Sequence, residues 1–131
     1  MAHAPEQARW VLVVDDDPLI RDTMTEILEE SGYRVATAAH GKDALNLLQQ
    51  GPRPDAIILD LMMPVMDGWQ FLDAKARDEA ISAVPVLIHT AYTAYHDGQN
   101  RHGDVLAVFR KPGDFARMIG VLSENWPTEA A

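Results

Sequence analysis

Trp10-Val11-Leu12-Val13-Val14-Asp15-Asp16-Asp17 and Ala56-Ile57-Ile58-Leu59-Asp60 are two apolar runs that both finish in carboxylates. An unbroken apolar run of this length is the mark of a strand buried on both faces. Two such strands bring several negative charges to one edge of a sheet. Carboxylates held that close repel one another unless a cation sits among them or one keeps its proton. An oxygen-only cluster suits a hard cation such as Mg²⁺, which takes one or two carboxylates and keeps waters for a phosphoryl ligand. Mn²⁺ accepts the same donors and is the expected substitute. The two stretches therefore point to phosphoryl chemistry at a strand edge.

Outward from these runs, strand and helix alternate. Asp17-Pro18 opens a helix well, with an acid that can cap followed by proline at the first helical position. Leu19, Ile20, Met24, Ile27 and Leu28 follow at three-to-four spacing, and Gly32 stops the helix. Tyr33 to Thr37 reads as a second, weaker strand. Gly41 to Gln50 reads as a helix with Ala44, Leu45, Leu47 and Leu48 inward, closed by Gly51-Pro52. Asp55 to Leu59 is the third strand. A turn-like stretch from Met62 to Gly68 leads to a third helix carrying Trp69, Phe71, Leu72 and Ala76. Val84 to His89 and Val105 to Phe109 are the fourth and fifth strands. Asp114 can cap a last helix with Phe115, Met118, Ile119 and Leu122 on one face. Between them, Tyr92 to Gly103 holds Gly98, Asn100 and Gly103 and few apolar residues at helical spacing, so its helix is expected to be short or weak.

This alternation requires a parallel sheet covered on both faces through right-handed crossovers. It fits an α/β, flavodoxin-like, doubly wound (βα)5 fold with a five-stranded sheet of order 2-1-3-4-5 and helices on both faces. In that order strands one and three flank the reversal of winding, where ligands bind beyond the carboxyl ends of the strands. Asp15, Asp16 and Asp60 fall there, and Thr90 and Lys111 open onto the same edge. One domain over residues 9–125 is expected, with flexible ends at 1–8 and 126–131.

Bulk properties narrow the function. The chain has 131 residues, enough for one domain with a real core. A net charge of −9 argues against a nucleic-acid or anionic-membrane surface, which needs excess Lys and Arg. The absence of cysteine excludes disulfides, thiol catalysis and zinc–thiolate sites. His3, His40, His89, His96 and His102 show no paired ligand spacing and read as scattered surface or strand histidines. Met1 to Ala8 lacks the apolar core of a secretory signal, and no apolar run approaches membrane-spanning length, so a cytoplasmic protein is expected.

Four motifs in order, each at a predicted strand end, carry a family resemblance. Val13-Val14-Asp15-Asp16-Asp17-Pro18, Leu59-Asp60-Leu61-Met62-Met63-Pro64-Val65-Met66-Asp67-Gly68, Thr90-Ala91 and Lys111-Pro112 resemble the receiver domains of two-component response regulators, from about Val11 to Leu122. The resemblance implies a regulatory phosphoacceptor, catalysing only its own phosphorylation and dephosphorylation. Asp60 would take a phosphoryl group from a sensor histidine kinase, a histidine phosphotransfer protein or a small phosphodonor. Asp16 would bind Mg²⁺ directly and Asp15 through water, with Asp60 and the backbone carbonyl of Met62 completing the set. Lys111 would face a phosphoryl oxygen, Thr90 would offer a hydroxyl, and the Lys111–Pro112 bond would be cis.

The chain also departs from the family pattern. Val108 stands at the usual aromatic switch position, with Phe109 beside it facing the other way in a strand. Gly113 stands where many members have Phe. Met62 and Tyr92, each two residues past a key position, lack a group suited to positioning water, which implies slow hydrolysis of the acyl phosphate. The weak Tyr92–Gly103 segment suggests signalling through loop ordering or another surface, from a monomer or a weak phosphorylation-dependent dimer with an unidentified output partner. A stand-alone receiver is favoured over a piece of a longer regulator, although the polar tail Pro127 to Ala131 suits both.

Blander readings stand beside these. Asp17 is better read as a helix cap than as a metal ligand, Asp67-Gly68 as turn and cap, and Met62, Met63 and Met66 as packing. Two other functions compete. A small phosphohydrolase of the haloacid dehalogenase type would use Asp15-x-Asp17 with Asp15 as nucleophile, but Leu19 sits where that family prefers Thr or Val, and the chain is short for it. A receiver-like scaffold that takes no phosphate is the other.

Overall fold

The computed structural model describes residues 9–92 and 103–128. Five strands, β1 (Trp10–Val14), β2 (Arg34–Ala38), β3 (Ala56–Leu59), β4 (Val86–Thr90) and β5 (Val105–Arg110), form one sheet of order β2-β1-β3-β4-β5, with every neighbouring pair parallel. Four helices are present among the described residues: α1 (Pro18–Glu30), α2 (Gly41–Gln50), α3 (Gly68–Ala76) and α4 (Phe115–Asn125). The expected weak helix over Tyr92–Gly103 falls almost wholly outside the described residues. No helix among the described residues is long and apolar enough to cross a membrane.

The sheet separates two cores because successive side chains on a strand point to opposite faces. Leu12, Val14, Ile57, Leu59, Val86 and Ile88 pack with Ala44 and Leu48 of α2 and Phe71 and Leu72 of α3. Val11, Val13, Ile58, Leu87 and Phe109 pack with Met24 and Leu28 of α1 and Met118 and Leu122 of α4. Strands β1, β3 and β4 are buried along nearly their whole length, as their unbroken apolar runs require.

Local signals account for the helix ends. Asp17 caps α1 by accepting from the Leu19 N–H, and Gly32 leaves the helix at φ 95°. Asp67 and Gln70 form a reciprocal capping box on α3. His40 caps α2, its Nδ1 accepting from the Asp43 N–H at 3.2 Å.

Several expectations need correction. Asp114 occupies the cap position of α4 with φ 63° but makes no cap bond. That carboxylate instead accepts from the Arg110 N–H and from Arg117, each at 3.0 Å. Leu19 is 71% exposed although it shares the periodicity of α1. Leu47 is also exposed, lying at the margin of the apolar stripe of α2. Strand β2 runs one residue later than expected. Tyr33 instead drops its ring into the core and donates its hydroxyl to the Trp126 carbonyl at 2.8 Å, while Thr128 donates to the Ser31 carbonyl at 2.5 Å.

Candidate functional site

Three residues of the site stand one position past their strands, held there by the sheet's own ladder. The Asp15 N–H donates to the Ala38 carbonyl at 3.1 Å, the Asp60 N–H to the Val14 carbonyl at 3.0 Å and the Lys111 N–H to the Thr90 carbonyl at 3.0 Å. Lys111, which follows β5, is thereby tied to the last residue of β4. The neighbouring strands, more than the loops, fix where these backbones sit.

The turn after β1 is internally bonded. Asp15 Oδ1 accepts from the Asp17 N–H at 2.9 Å, and the Arg21 guanidinium donates to the Asp15 carbonyl at 2.6 Å. Asp17 spends its own carboxylate on the Leu19 N–H at 2.9 Å. Asp15 and Asp17 therefore do not form the working pair that a dehalogenase-type site needs.

The loop after β3 is close-packed. The Met62 N–H donates to Asp60 Oδ1 at 3.2 Å. A Cβ on Gly68 would lie 2.6 Å from the Asp60 carbonyl oxygen and 2.7 Å from the Leu61 Cα, so only glycine lets α3 begin so near Asp60. Between them Val65 has φ 67°, and the Met66 N–H donates back to the Pro64 carbonyl at 2.7 Å. This tight three-residue turn with positive φ is strained for a β-branched residue. The Met66 carbonyl in turn accepts from the Gly41 N–H at 3.0 Å, which ties the loop to the start of α2.

Carboxylate oxygens from Asp15, Asp16 and Asp60 lie within 4.8 Å of one another, with Asp15 and Asp60 buried and Asp16 exposed. Lys111 Nζ reaches Asp15 Oδ2 at 2.7 Å and Asp60 Oδ2 at 2.9 Å. Burial pushes the Asp15 carboxyl above the ordinary carboxylate range, more strongly than the Lys111 hydrogen bond pulls it down. Burial also favours a neutral Lys111, but its hydrogen bonds to Asp15 and Asp60 together outweigh that and hold the amine above its usual value. Lys111 thus remains an ammonium shared between two acids. Three acids against one ammonium leave the edge with surplus negative charge, and every donor is oxygen. Those residues fit a hard divalent cation.

Thr90 is fully buried, and its Oγ1 accepts from the Tyr92 N–H at 3.1 Å. The Tyr92 ring meets Trp69 edge-on with centroids 6.2 Å apart, and Arg110 donates to the Tyr92 carbonyl at 2.5 Å. Val108 packs on the α2–α3 side, whereas Phe109 is buried on the opposite face. No ring therefore occupies the position at Val108. The Lys111–Pro112 bond is cis, as the resemblance implied.

Sequence reasoning passed over three contributors. Arg21 and Arg110 look like ordinary surface cations, and nothing in the sequence foretells that each binds a loop carbonyl. His89 was legible only as a strand histidine. Its place in an otherwise apolar buried strand was the available signal, and its Nε2 lies 3.2 Å from the Gly113 carbonyl.

With sheet order, acid cluster, threonine and lysine at one edge, comparison with known proteins is decisive. The model of the response regulator receiver domain matches residues 11–122. The chain belongs to the response regulator receiver family. Among solved structures, the chemotaxis response regulator CheY4 of Vibrio cholerae is 32% identical with a TM-score of 0.77, covering 89% of this chain and 98% of that one. The response regulator TrrA from Thermotoga maritima, solved in complex with Mg²⁺-BeF, is 28% identical with a TM-score of 0.77, covering 88% of this chain and 97% of that one. A curated relative, the DNA-binding dual master transcriptional regulator RpaA of Synechocystis, is 40% identical over 87 residues, which is 66% of this chain and 36% of RpaA. This receiver thus spans less than two thirds of the length of RpaA and of other curated relatives it matches.

Proposed function

We propose that this receiver is a phosphoacceptor in a two-component phosphorelay, with Asp60 as the residue that carries the phosphoryl group. The observation that supports this most directly is the placement of Asp60 beside Asp15, Asp16 and the Lys111 ammonium at the point where the winding reverses. A carboxylate oxygen of Asp60 attacks phosphorus. The bond from phosphorus to the donor's imidazole nitrogen breaks, that nitrogen keeps the electron pair, and an acyl phosphate forms on Asp60. Asp15, Asp16, Asp60 and the Met62 carbonyl are the groups that would hold Mg²⁺. When bound, the ion neutralises charge on the transferring group. Lys111, already 2.9 Å from Asp60, passes its ammonium to a phosphoryl oxygen, and Thr90 exchanges its acceptor role toward Tyr92 for donation to the same group. Positioning of this kind supplies most of the catalysis in phosphoryl transfer.

The donors are a sensor histidine kinase or a histidine phosphotransfer protein. The output is a change of partner-binding surface, transmitted without a ring at position 108. Met62 and Tyr92 offer no group to orient an attacking water, so the acyl phosphate is long-lived. The test uses Mg²⁺ with acetyl phosphate or phosphoramidate, followed by intact mass. One added phosphate is expected, absent in Asp60→Asn. No adduct on the unaltered chain, or an adduct that persists in Asp60→Asn, overturns the proposal, and a half-life of seconds overturns the claim of slow hydrolysis.

A further inference from the structure

His89 is 1% exposed in the middle of the fold, on β4 immediately before Thr90. Strand alternation turns it away from Thr90 to the face shared with Phe109, its register partner on β5. Its ring lies 5.4 Å from that of Phe115 at the start of α4. Leu87 fills the same face two residues earlier, so an aliphatic side chain would pack here without the desolvation cost of an imidazole. The imidazole adds one contact that no aliphatic supplies, the 3.2 Å bond to the Gly113 carbonyl. A carbonyl oxygen only accepts, so Nε2 must be the nitrogen that carries the proton.

Gly113 is two residues past Lys111 in the turn joining β5 to α4. That turn is held at its start by the Lys111 N–H on the Thr90 carbonyl and at its end by Asp114 on the Arg110 N–H. The bond from His89 fastens the stretch in between, from beneath the sheet. The charged groups around the imidazole are Lys111 and Asp114 from the turn, Asp60 from the end of β3, and Arg117 of α4, which pairs with Asp114 and lies over Phe109. A cationic imidazole would stand near the Lys111 ammonium, and burial holds the His89 pKa below its usual value, which keeps the ring neutral.

We propose that His89 is a positioning residue for Lys111: its Nε2–H bond to the Gly113 carbonyl sets the turn that aims the lysine at Asp60. This rests on the reading of Lys111 as the ammonium that meets the phosphoryl group. His89 acts through the backbone of the turn and touches no reacting atom.

The test compares the full chain with His89→Leu, which keeps the volume and removes the donor, and His89→Gln, whose amide can donate to the same carbonyl. Phosphorylation by phosphoramidate with Mg²⁺ is followed by intact mass, and thermal melts confirm that each variant is folded. His89→Leu is expected to slow phosphorylation about tenfold, as a small misplacement of a catalytic group does, with most of the rate restored in His89→Gln. Equal rates in all three chains, or equal slowing in both variants, overturn the proposal. A readout independent of phosphorylation is the imidazole tautomer, from long-range ¹H–¹⁵N correlation. The Nε2–H form is expected, and the Nδ1–H form overturns the proposal. If the unaltered chain takes no phosphate, the phosphoacceptor reading fails by itself. The tautomer and the Lys111 and Gly113 amide resonances, shifted in His89→Leu and near wild type in His89→Gln, still decide the role of His89. Should His89→Leu not fold, the tautomer and the His89→Gln rate decide it.

Discussion

Two buried lysine–aspartate clusters stand at opposite edges of one sheet. At the edge where strands begin, Lys75 of α3 is fully buried and pairs with Asp104, which precedes β5, while also donating to the Ser82 carbonyl at 2.9 Å. There one ammonium meets one carboxylate, and the spare donor capacity goes to a carbonyl. At the edge where strands end, one ammonium serves Asp15 and Asp60, with Asp16 close by and unpaired with it. The first cluster is balanced. The second is left short of positive charge, and the backbone strain lies beside it. The non-glycine residues with positive φ among those described, Val65 and Asp114, are both in loops at the strand-end edge. Surplus negative charge on oxygen donors suits a hard cation, whereas the Lys75–Asp104 pair is already compensated.

Breaking the balanced cluster should have the largest effect. Lys75→Met leaves the Asp104 carboxylate without its partner and is expected to cost about 3 kcal/mol, measured by urea unfolding. Pairing it with Asp104→Leu should recover most of that loss, because a matched apolar pair needs no charge compensation. A double variant as unstable as the single one would show that the two residues do not act as a pair.

The same operation at the other edge should behave differently. Lys111→Met is expected to cost about 2 kcal/mol in metal-free buffer, since two buried acids lose their shared cation. Millimolar Mg²⁺ should return much of that stability, as a ligand that binds only the folded state does. Thermal melts with and without Mg²⁺ check this, and a Lys111→Met melt insensitive to Mg²⁺ would count against a cation site among the acids. Lys75→Met keeps the acid cluster intact and should gain from Mg²⁺ only what the unaltered chain gains.

A smaller, pH-dependent difference comes from His89. Burial lowers its folded pKa below the ordinary histidine value of 6.5, so on acidification the unfolded chain takes up the proton first. Stability should therefore fall as pH drops below that value toward the depressed folded pKa, and hold steady above it. His89→Gln should flatten this slope in urea-unfolding series between neutral and mildly acidic pH. An unchanged slope would assign the acid loss to other groups.

The smallest expected effect concerns strain. Val65→Asn at φ 67° should raise stability by about 1 kcal/mol, because asparagine tolerates the left-handed region that a β-branched residue resists. Val65 is 73% exposed, so little packing is lost in the exchange. A drop in melting temperature would show that the valine side chain contributes something the turn needs.

Much of this was legible in the chain itself. Short unbroken apolar runs bounded by turn signals read as buried strands, and strand–helix alternation leaves few sheet orders open. The parallel sheet and its two-sided core were therefore readable from pattern, and the acid-bearing edge once the order that fits was chosen. The caps at Asp17 and Asp67 were readable because a capping side chain bonds its own near neighbours. Asp114 misled because the same residue type turned through positive φ serves Arg110 and Arg117 instead. Lys75 shares the inward periodicity of Phe71 and Leu72, yet its partner lies 29 positions away, and periodicity does not say which acid will meet a buried ammonium.

Sequence by itself determined which residues are at the working edge, because strand ends and winding order are local and topological facts. Tertiary structure alone decided how charge is divided there: that Lys111 bridges Asp15 and Asp60, that His89 fastens the lysine's turn from the other face, and that Phe109 points away. Those outcomes depend on distances of a few ångströms between segments far apart in the chain, and electrostatic and hydrogen-bond energies are set by such distances and by burial, neither of which residue order encodes directly.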